Sequence, residues 1–226
     1  MNGPSNVRFA FLPPSLPSLP IADSAARFPV GAIYAFTGTY GANRAEPAVF
    51  TKGSHTVIES GATMPYPAAT QLLEPEIELV VAIGAEARDL ADADAAKRAV
   101  FGYAVGLDMT RRDIQRAARN EGKPWDMAKT FDGASPIAAV HPADAIGHIE
   151  RGAITLDVNG KRAQEGDLSQ MAWTPLTLVA MLSRFVPLRP GDLIFTGTPT
   201  GEIQLHAGDT LDGRIAGLSH LLVTIG

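Results

Sequence analysis

The sequence predicts a mainly β fold with a few helices, an α+β roll or sandwich, and three observations lead there. Short runs rich in β-branched and aromatic residues recur along the chain, each bounded by Gly, Pro or Asn. Only three segments carry helix signals, and strands and helices do not alternate, which argues against a doubly wound sheet. With 226 residues, 46% of them hydrophobic, the chain buries most of its apolar surface on folding. It has no Cys, so disulfide scaffolds, zinc fingers and thiol nucleophiles are excluded.

Residues 1–27 read as an N-terminal arm. Val7 to Leu12 suits a short strand, and the Pro-rich run from Leu12 to Pro20 cannot form a helix or a central strand, because Pro removes backbone donors. Residues 28–226 show no internal repeat and no second linker, so they read as one domain. Strands are expected at Ala32–Phe36, Ala48–Phe50, Thr56–Glu59, Ile77–Ile83, Phe101–Leu107, Ala153–Val158 and Leu193–Thr196. Asn159-Gly160, directly after one of these, is the strongest hairpin signal in the chain.

Helices are expected at Asp92–Val100, Thr110–Asn120 and Thr174–Arg184. The first has acids in its opening turn and Lys97 and Arg98 in its last, which suits the helix dipole. The second opens with Thr110 as a cap and Asp113 three residues on, and stops at Gly122 and Pro124. The third carries Leu176, Val179, Ala180 and Leu182 and ends before Pro187.

The 24 acids against 19 Lys and Arg give a net charge of -5, with no electrostatic footprint for nucleic acid or an anionic membrane. The apolar runs are shorter than the roughly 20 residues a spanning helix needs, and Met1 to Ala10 lack a basic leader. A soluble cytoplasmic protein is the expectation.

Chemistry gathers in a few places. Glu76 and Glu78 stand two apart at the head of the apolar run Leu79 to Ile83, so their carboxylates share a face. Two like charges there are costly when buried unless a cation lies between them, and oxygen ligands suit Mg²⁺, Mn²⁺ or Ca²⁺. On spacing alone, two solvated acids at the surface end of the strand is the commoner outcome. Asp108 closes a second apolar strand, where it serves as a further ligand or as a turn residue. Lys129, in an apolar setting, can pair with a carboxylate or snorkel to solvent. Thr196-Gly197-Thr198-Pro199 is a tight loop able to approach a ligand, and it is not a phosphate loop. None of the five His falls at a metal spacing, and no Gly-x-Ser-x-Gly elbow is present.

Four motifs in order resemble the fumarylacetoacetate hydrolase family, closest to its bacterial fumarylpyruvate hydrolase-like branch. They are Glu76-Ile77-Glu78-Leu79-Val80-Val81-Ala82-Ile83-Gly84, Gly102 to Gln115, Lys129-Thr130-Phe131-Asp132, and Pro190 to Pro199, and the resemblance covers residues 28–226. It implies a mixed β-roll, a homodimer, and a divalent metal held by Glu76, Glu78 and Asp108, with Mg²⁺ the first choice and Mn²⁺ or Ca²⁺ compatible. It also implies that Arg112, Gln115, Lys129 and Thr198 line the site and bind substrate oxygens. The implied substrate is a small 2-oxo or 2,4-dioxo acid: water attacks the far carbonyl, the carbon–carbon bond breaks, and a pyruvate enolate leaves.

One departure matters. The family's lid carries a His and Glu pair that activates water, whereas here the chain reads Tyr40-Gly41-Ala42-Asn43-Arg44-Ala45-Glu46, with Asn43 at the His position and Glu46 kept. An Asn amide takes no proton at neutral pH. Glu202 and Ile203 also replace the small residues usual after the Thr-Gly-Thr loop. Three functions follow as expectations. They are hydrolysis of an acylpyruvate with Glu46, alone or with His55, as base; decarboxylation or keto–enol isomerisation of a 2-oxo dicarboxylate such as oxaloacetate; and oxo-acid binding without turnover.

Overall fold

The computed structural model describes residues 17–41 and 45–226. The expected strand at 7–12 and Asn43 lie outside them. The chain begins with a hairpin, β1 (Ser18–Pro20) on β2 (Arg27–Pro29), then runs through β3 (Ile33–Thr37), β4 (Ala48–Lys52), β5 (Val57–Glu59), β6 (Thr63–Met64), β7 (Leu73–Glu74) and β8 (Ile77–Ile83). Helix α1 (Ala93–Lys97) leads to β9 (Val100–Leu107), β10 (Thr110–Arg111) and α2 (Arg112–Asn120). After β11 (Ser135–Ile137), β12 (His141–Pro142) and α3 (Ala143–Ile146) comes the hairpin of β13 (Ala153–Val158) and β14 (Lys161–Asp167). Helix α4 (Pro175–Leu182), β15 (Leu193–Phe195), β16 (Thr210–Ile215) and β17 (Leu221–Ile225) complete the fold.

Two sheets carry the architecture. The larger, curled and eight-stranded, has the order β4-β3-β15-β8-β9-β11-β5 with β12 on β9; the smaller has the order β14-β13-β16-β17-β6. All seven residues of β8 are buried, and their alternation fills two cores. Ile77, Leu79, Val81 and Ile83 face the larger core, shared with Leu156, Leu211 and Leu221 of the second sheet. Val80 and Ala82 face a smaller core with Phe50, Ala104 and Phe195, inside the curl of the large sheet. By the same parity Glu76 and Glu78 point toward that inner side, which brings acids into an apolar lining.

The expected strands form with ends shifted by a residue or two. Asn159 and Gly160 both take positive φ, 51° and 73°, as a two-residue hairpin loop with the right twist requires. Two helix boundaries differ from expectation. Thr110 does not cap α2; it is fully buried and pairs with Glu74 in β10, so the helix starts at Arg112. Helix α1 stops at Lys97, because Val100 is drawn into β9. Asp92 does cap α1, accepting from the Ala95 N–H at 2.9 Å, and Thr174 caps α4.

The end of the Pro-rich arm packs on the domain. Leu19 is buried in the smaller core, and the Val140 N–H donates to the Pro20 carbonyl at 2.8 Å. Among the described residues no helix is long and apolar enough to cross a membrane.

Candidate metal centre and substrate pocket

Antiparallel pairing of β8 with β9 sets Ile77 opposite Leu107, and the Asp108 N–H donates to the Glu76 carbonyl at 2.9 Å. The register therefore brings the start of one strand to the end of the other. Carboxylate oxygens of Glu76, Glu78 and Asp108 lie within 4.8 Å of one another. Glu78 and Asp108 are each only 1% exposed, which overturns the solvated alternative.

Cations surround this cluster. Lys129 Nζ lies 2.5 Å from Glu76 and 2.5 Å from Asp108. Lys52 Nζ donates to Asp108 and, at 2.8 Å, to the Ala134 carbonyl. Arg112 bridges Glu76 and Glu74, at 2.6 Å each, and donates to the Gln115 side-chain carbonyl at 2.6 Å. Glu74, Glu76 and Asp108 are each paired with at least one cation, and among the described residues Glu78 is not. Its one hydrogen-bond partner among the described residues is the Gly197 N–H at 2.6 Å. Gly197 is required there: its φ is +98°, and a Cβ would stand 2.0 Å from Thr39 Oγ1.

The electrostatics follow from that imbalance. Burial raises the Glu76 pKa, but the Lys129 ammonium and Arg112 guanidinium outweigh it and hold it at about 2. Glu78 is pushed well up by burial and by the Asp108 and Glu76 charges. Burial lowers the Lys129 pKa, yet Asp108 and Glu76 more than reverse this, so its ammonium stays charged. Burial pushes Lys52 down. The Tyr40 phenol, also raised by burial and by Glu78, is a buried hydroxyl without a hydrogen-bond partner among the described residues. Three hard oxygen donors converge, one of them buried and uncompensated, and an orphaned hydroxyl lies in the field of the same carboxylate. This donor set fits a divalent cation of the Mg²⁺, Mn²⁺ or Ca²⁺ kind.

The carboxylates open on a cavity of about 100 Å³, also lined by Arg112, Gln115, Lys129 and Thr198. Thr198 is held by Gln164 of β14, a buried amide whose Nε2 donates to Thr198 Oγ1 at 3.2 Å and whose carbonyl accepts from the Ile77 N–H at 3.0 Å. The structure thus brings Glu76, Glu78, Asp108, Arg112, Gln115, Lys129 and Thr198 together. Glu46 is exposed and lines a separate surface cleft beside Trp173 and Arg184. His55, exposed in a short 3₁₀ turn, does not line the cavity.

Sequence reasoning missed Lys52, Glu74 and Gln164. The first two carried a usable signal: Glu74, Glu76 and Glu78 are successive same-face positions, and Lys52 shares a face with Phe50. Gln164, in a polar strand, carried none.

The fold and the carboxylate cage define a metal-binding β-roll that presents an anion-lined cavity edged by cations. Residues 36–225 match the family model described as Fumarylacetoacetate (FAA) hydrolase C-terminal. The chain belongs to the fumarylacetoacetate hydrolase family. It is 42% identical over 177 residues to a fumarylpyruvate hydrolase from Ralstonia sp., covering 78% of this chain and 91% of that one. It is 34% identical over 180 residues to an oxaloacetate tautomerase from Escherichia coli (strain K12), covering 79% and 81%. Among solved structures, fumarylpyruvate hydrolase from Pseudomonas aeruginosa in complex with Mn²⁺ and pyruvate superposes with a TM-score of 0.91 and 40% identity, covering 96% of this chain and 99% of that one.

Proposed function

We propose that this protein is a divalent-metal-dependent hydrolase that cleaves a carbon–carbon bond in a 2,4-dioxo acid, an acylpyruvate of the fumarylpyruvate kind, giving pyruvate and a carboxylic acid. The observation that carries the reading is the buried Glu76, Glu78 and Asp108 triad, with Glu78 lacking a cationic partner among the described residues, at the floor of a small cavity ringed by Lys129, Arg112 and Gln115. The likeness to a relative that binds Mn²⁺ and pyruvate supports it. Mg²⁺ is the proposed physiological ion, and the proposed setting is a cytoplasmic homodimer.

When bound, the divalent cation supplies a fixed positive charge that polarises the 2-oxo group and offsets negative charge developing on it. The chain does the rest. Arg112 and Gln115 orient the substrate carboxylate, and the Thr198 hydroxyl, held by Gln164, donates to a substrate oxygen. Water adds to the 4-carbonyl, the bond between carbons 3 and 4 breaks, and its electron pair passes into the enolate of pyruvate. The oxygen from water stays in the released acid, and a proton at carbon 3 completes pyruvate. Lys129, an ammonium locked between two carboxylates, serves as a charge and proton donor rather than a nucleophile, since attack needs the neutral amine. Glu46, with Asn43 in the place of the usual His, is the proposed group that takes the proton of water.

A second reading is keto–enol isomerisation or decarboxylation of oxaloacetate. It is favoured by the absence of any His among the described cavity-lining residues, because these reactions need an electron sink and no activated water. Incubating the protein and Mg²⁺ with fumarylpyruvate, acetylpyruvate and oxaloacetate separates the readings. Loss of enol absorbance with stoichiometric pyruvate and acid supports hydrolysis, whereas CO₂ release or faster enol equilibration of oxaloacetate alone supports the second. No turnover of any, with metal-dependent protection by oxalate in a melting scan, assigns a binding role.

A further inference from the structure

One wall of the cavity continues from Lys129 through residues that the chemistry above does not use. Lys129 Nζ stands 5.2 Å from the centroid of the Phe50 ring, Phe50 meets Trp125 edge to face at 4.8 Å, and the Arg119 guanidinium lies 5.0 Å from the Trp125 centroid. The wall therefore runs from cation to ring to ring to cation, starting at the carboxylate cage and ending at the cavity rim. Arg119 lines the cavity and forms no ion pair among the described residues.

Helix α2 sets the spacing. Arg112, Gln115 and Arg119 share one face, and all three line the cavity. Seven residues separate the first from the last, about 10 Å along the helix axis. An extended seven-carbon skeleton spans about 7 Å between its terminal carbons, and its carboxylate oxygens and the Arg side chain close the remainder. A four-carbon acid held at the cage would fall short of Arg119.

We infer that Arg119, stacked on Trp125, selects substrates whose acyl group is flat and ends in a second carboxylate. This rests on the oxo-acid reading of the cage and names the substrate class within it. A planar unsaturated chain lies against the Phe50 and Trp125 rings, and the guanidinium, held flat by the indole, presents paired N–H donors to the distal carboxylate. The competing direction for the tail is the adjoining cleft past Thr200 and Gly201, where Glu202 sets an anion, itself tied to Arg116 at 3.4 Å. Arg116 in that branch is thus already paired with an acid, whereas Arg119 forms no ion pair among the described residues and is open to a carboxylate.

The test uses Arg119→Leu and Arg119→Lys in the full chain with Mg²⁺. Both put a good helix former at one exposed helix position, so the fold is kept. The ratio of kcat/KM for fumarylpyruvate to that for acetylpyruvate should fall about 10- to 100-fold in Arg119→Leu and less in Arg119→Lys, chiefly through KM. An unchanged ratio overturns the inference. A binding arm decides it without turnover: calorimetric titration with 2-oxohepta-3,5-dienedioate, a flat seven-carbon acid without the 4-carbonyl that hydrolysis needs, and with 2-oxohepta-3,5-dienoate, its analogue lacking the second carboxylate. The parent protein should prefer the diacid, and Arg119→Leu should lose the preference. No preference in the parent, or one that survives in Arg119→Leu, overturns the assignment, whereas failure of the parent to hydrolyse either acylpyruvate overturns only the hydrolase reading.

Discussion

Glu78 carries a carboxylate that burial, Asp108 and Glu76 all push toward the protonated form, and the Gly197 amide is its one hydrogen-bond partner among the described residues. Replacing it by Gln keeps the shape and removes a like charge. In metal-free buffer Glu78→Gln should therefore be more stable than the parent by about 1–2 kcal/mol, while losing Mn²⁺ binding by calorimetry; lower metal-free stability would contradict the imbalance described. Lys52 behaves in the opposite sense. It is fully buried and holds both Asp108 and the Ala134 carbonyl, so Lys52→Met should cost about 3–5 kcal/mol in denaturant unfolding, because it strands a buried acid. Asn43→His tests the proton-transfer assignment. A base restored at that position should raise acylpyruvate hydrolysis about 10-fold or more, with no effect on metal affinity.

At the scale of elements, helix α2 matters most, since it delivers Arg112, Gln115 and Arg119. Its first turn is clamped to the preceding loop by Asp113, which accepts from Thr70 Oγ1 at 2.5 Å and from the Gln71 N–H at 2.8 Å. Burial raises the Asp113 pKa, but these donors and the Ile114 N–H together outweigh it and hold the carboxyl below the ordinary range. The stabilisation is fully present above the unfolded-state pKa and is lost as pH falls through the lower folded value. Asp113→Ala should thus cost about 1 kcal/mol at neutral pH and flatten the acid limb of the stability curve, as pH-dependent urea melts would show. The same helix marks a limit of sequence reasoning. Thr110 and Asp113 have the spacing of a cap, yet Thr110 went into a strand, because pairing with Glu74 buries it. Strand β8 was legible through its unbroken apolar run, and the loop at Asn159-Gly160 through its chemistry. Strand β14, Lys161-Arg162-Ala163-Gln164-Glu165-Gly166-Asp167, was not: it lies at the edge of the second sheet, mostly outside the core, where no apolar alternation is demanded.

At the scale of the whole molecule, the cage sits inside the large sheet and its ligands come from two adjacent central strands, so filling it stabilises the fold as a unit. Mg²⁺ or Mn²⁺ at about 100 times its dissociation constant should add about 2.7 kcal/mol, and chelation should lower the melting temperature reversibly. In Glu78→Gln that shift should vanish, which separates binding at the cage from weak association with surface acids. The three carboxylates of the cage were legible in the sequence through the order of the motifs that carry them. The aromatic wall beside them was not, because Phe50 lies in β4, far from Trp125 and Arg119 in the sequence, and only the fold brings it against them.

Gln164 gives the design a further property. From the far sheet it grips the loop at Thr198 Oγ1 and at the Pro199 and Gly201 carbonyls, two of its three holds being on backbone that every residue possesses. Side chains beyond the grip, Glu202 among them, are free to drift without loosening Thr198. Such a splint uncouples the position of the Thr198 hydroxyl from the identity of the side chains that follow it.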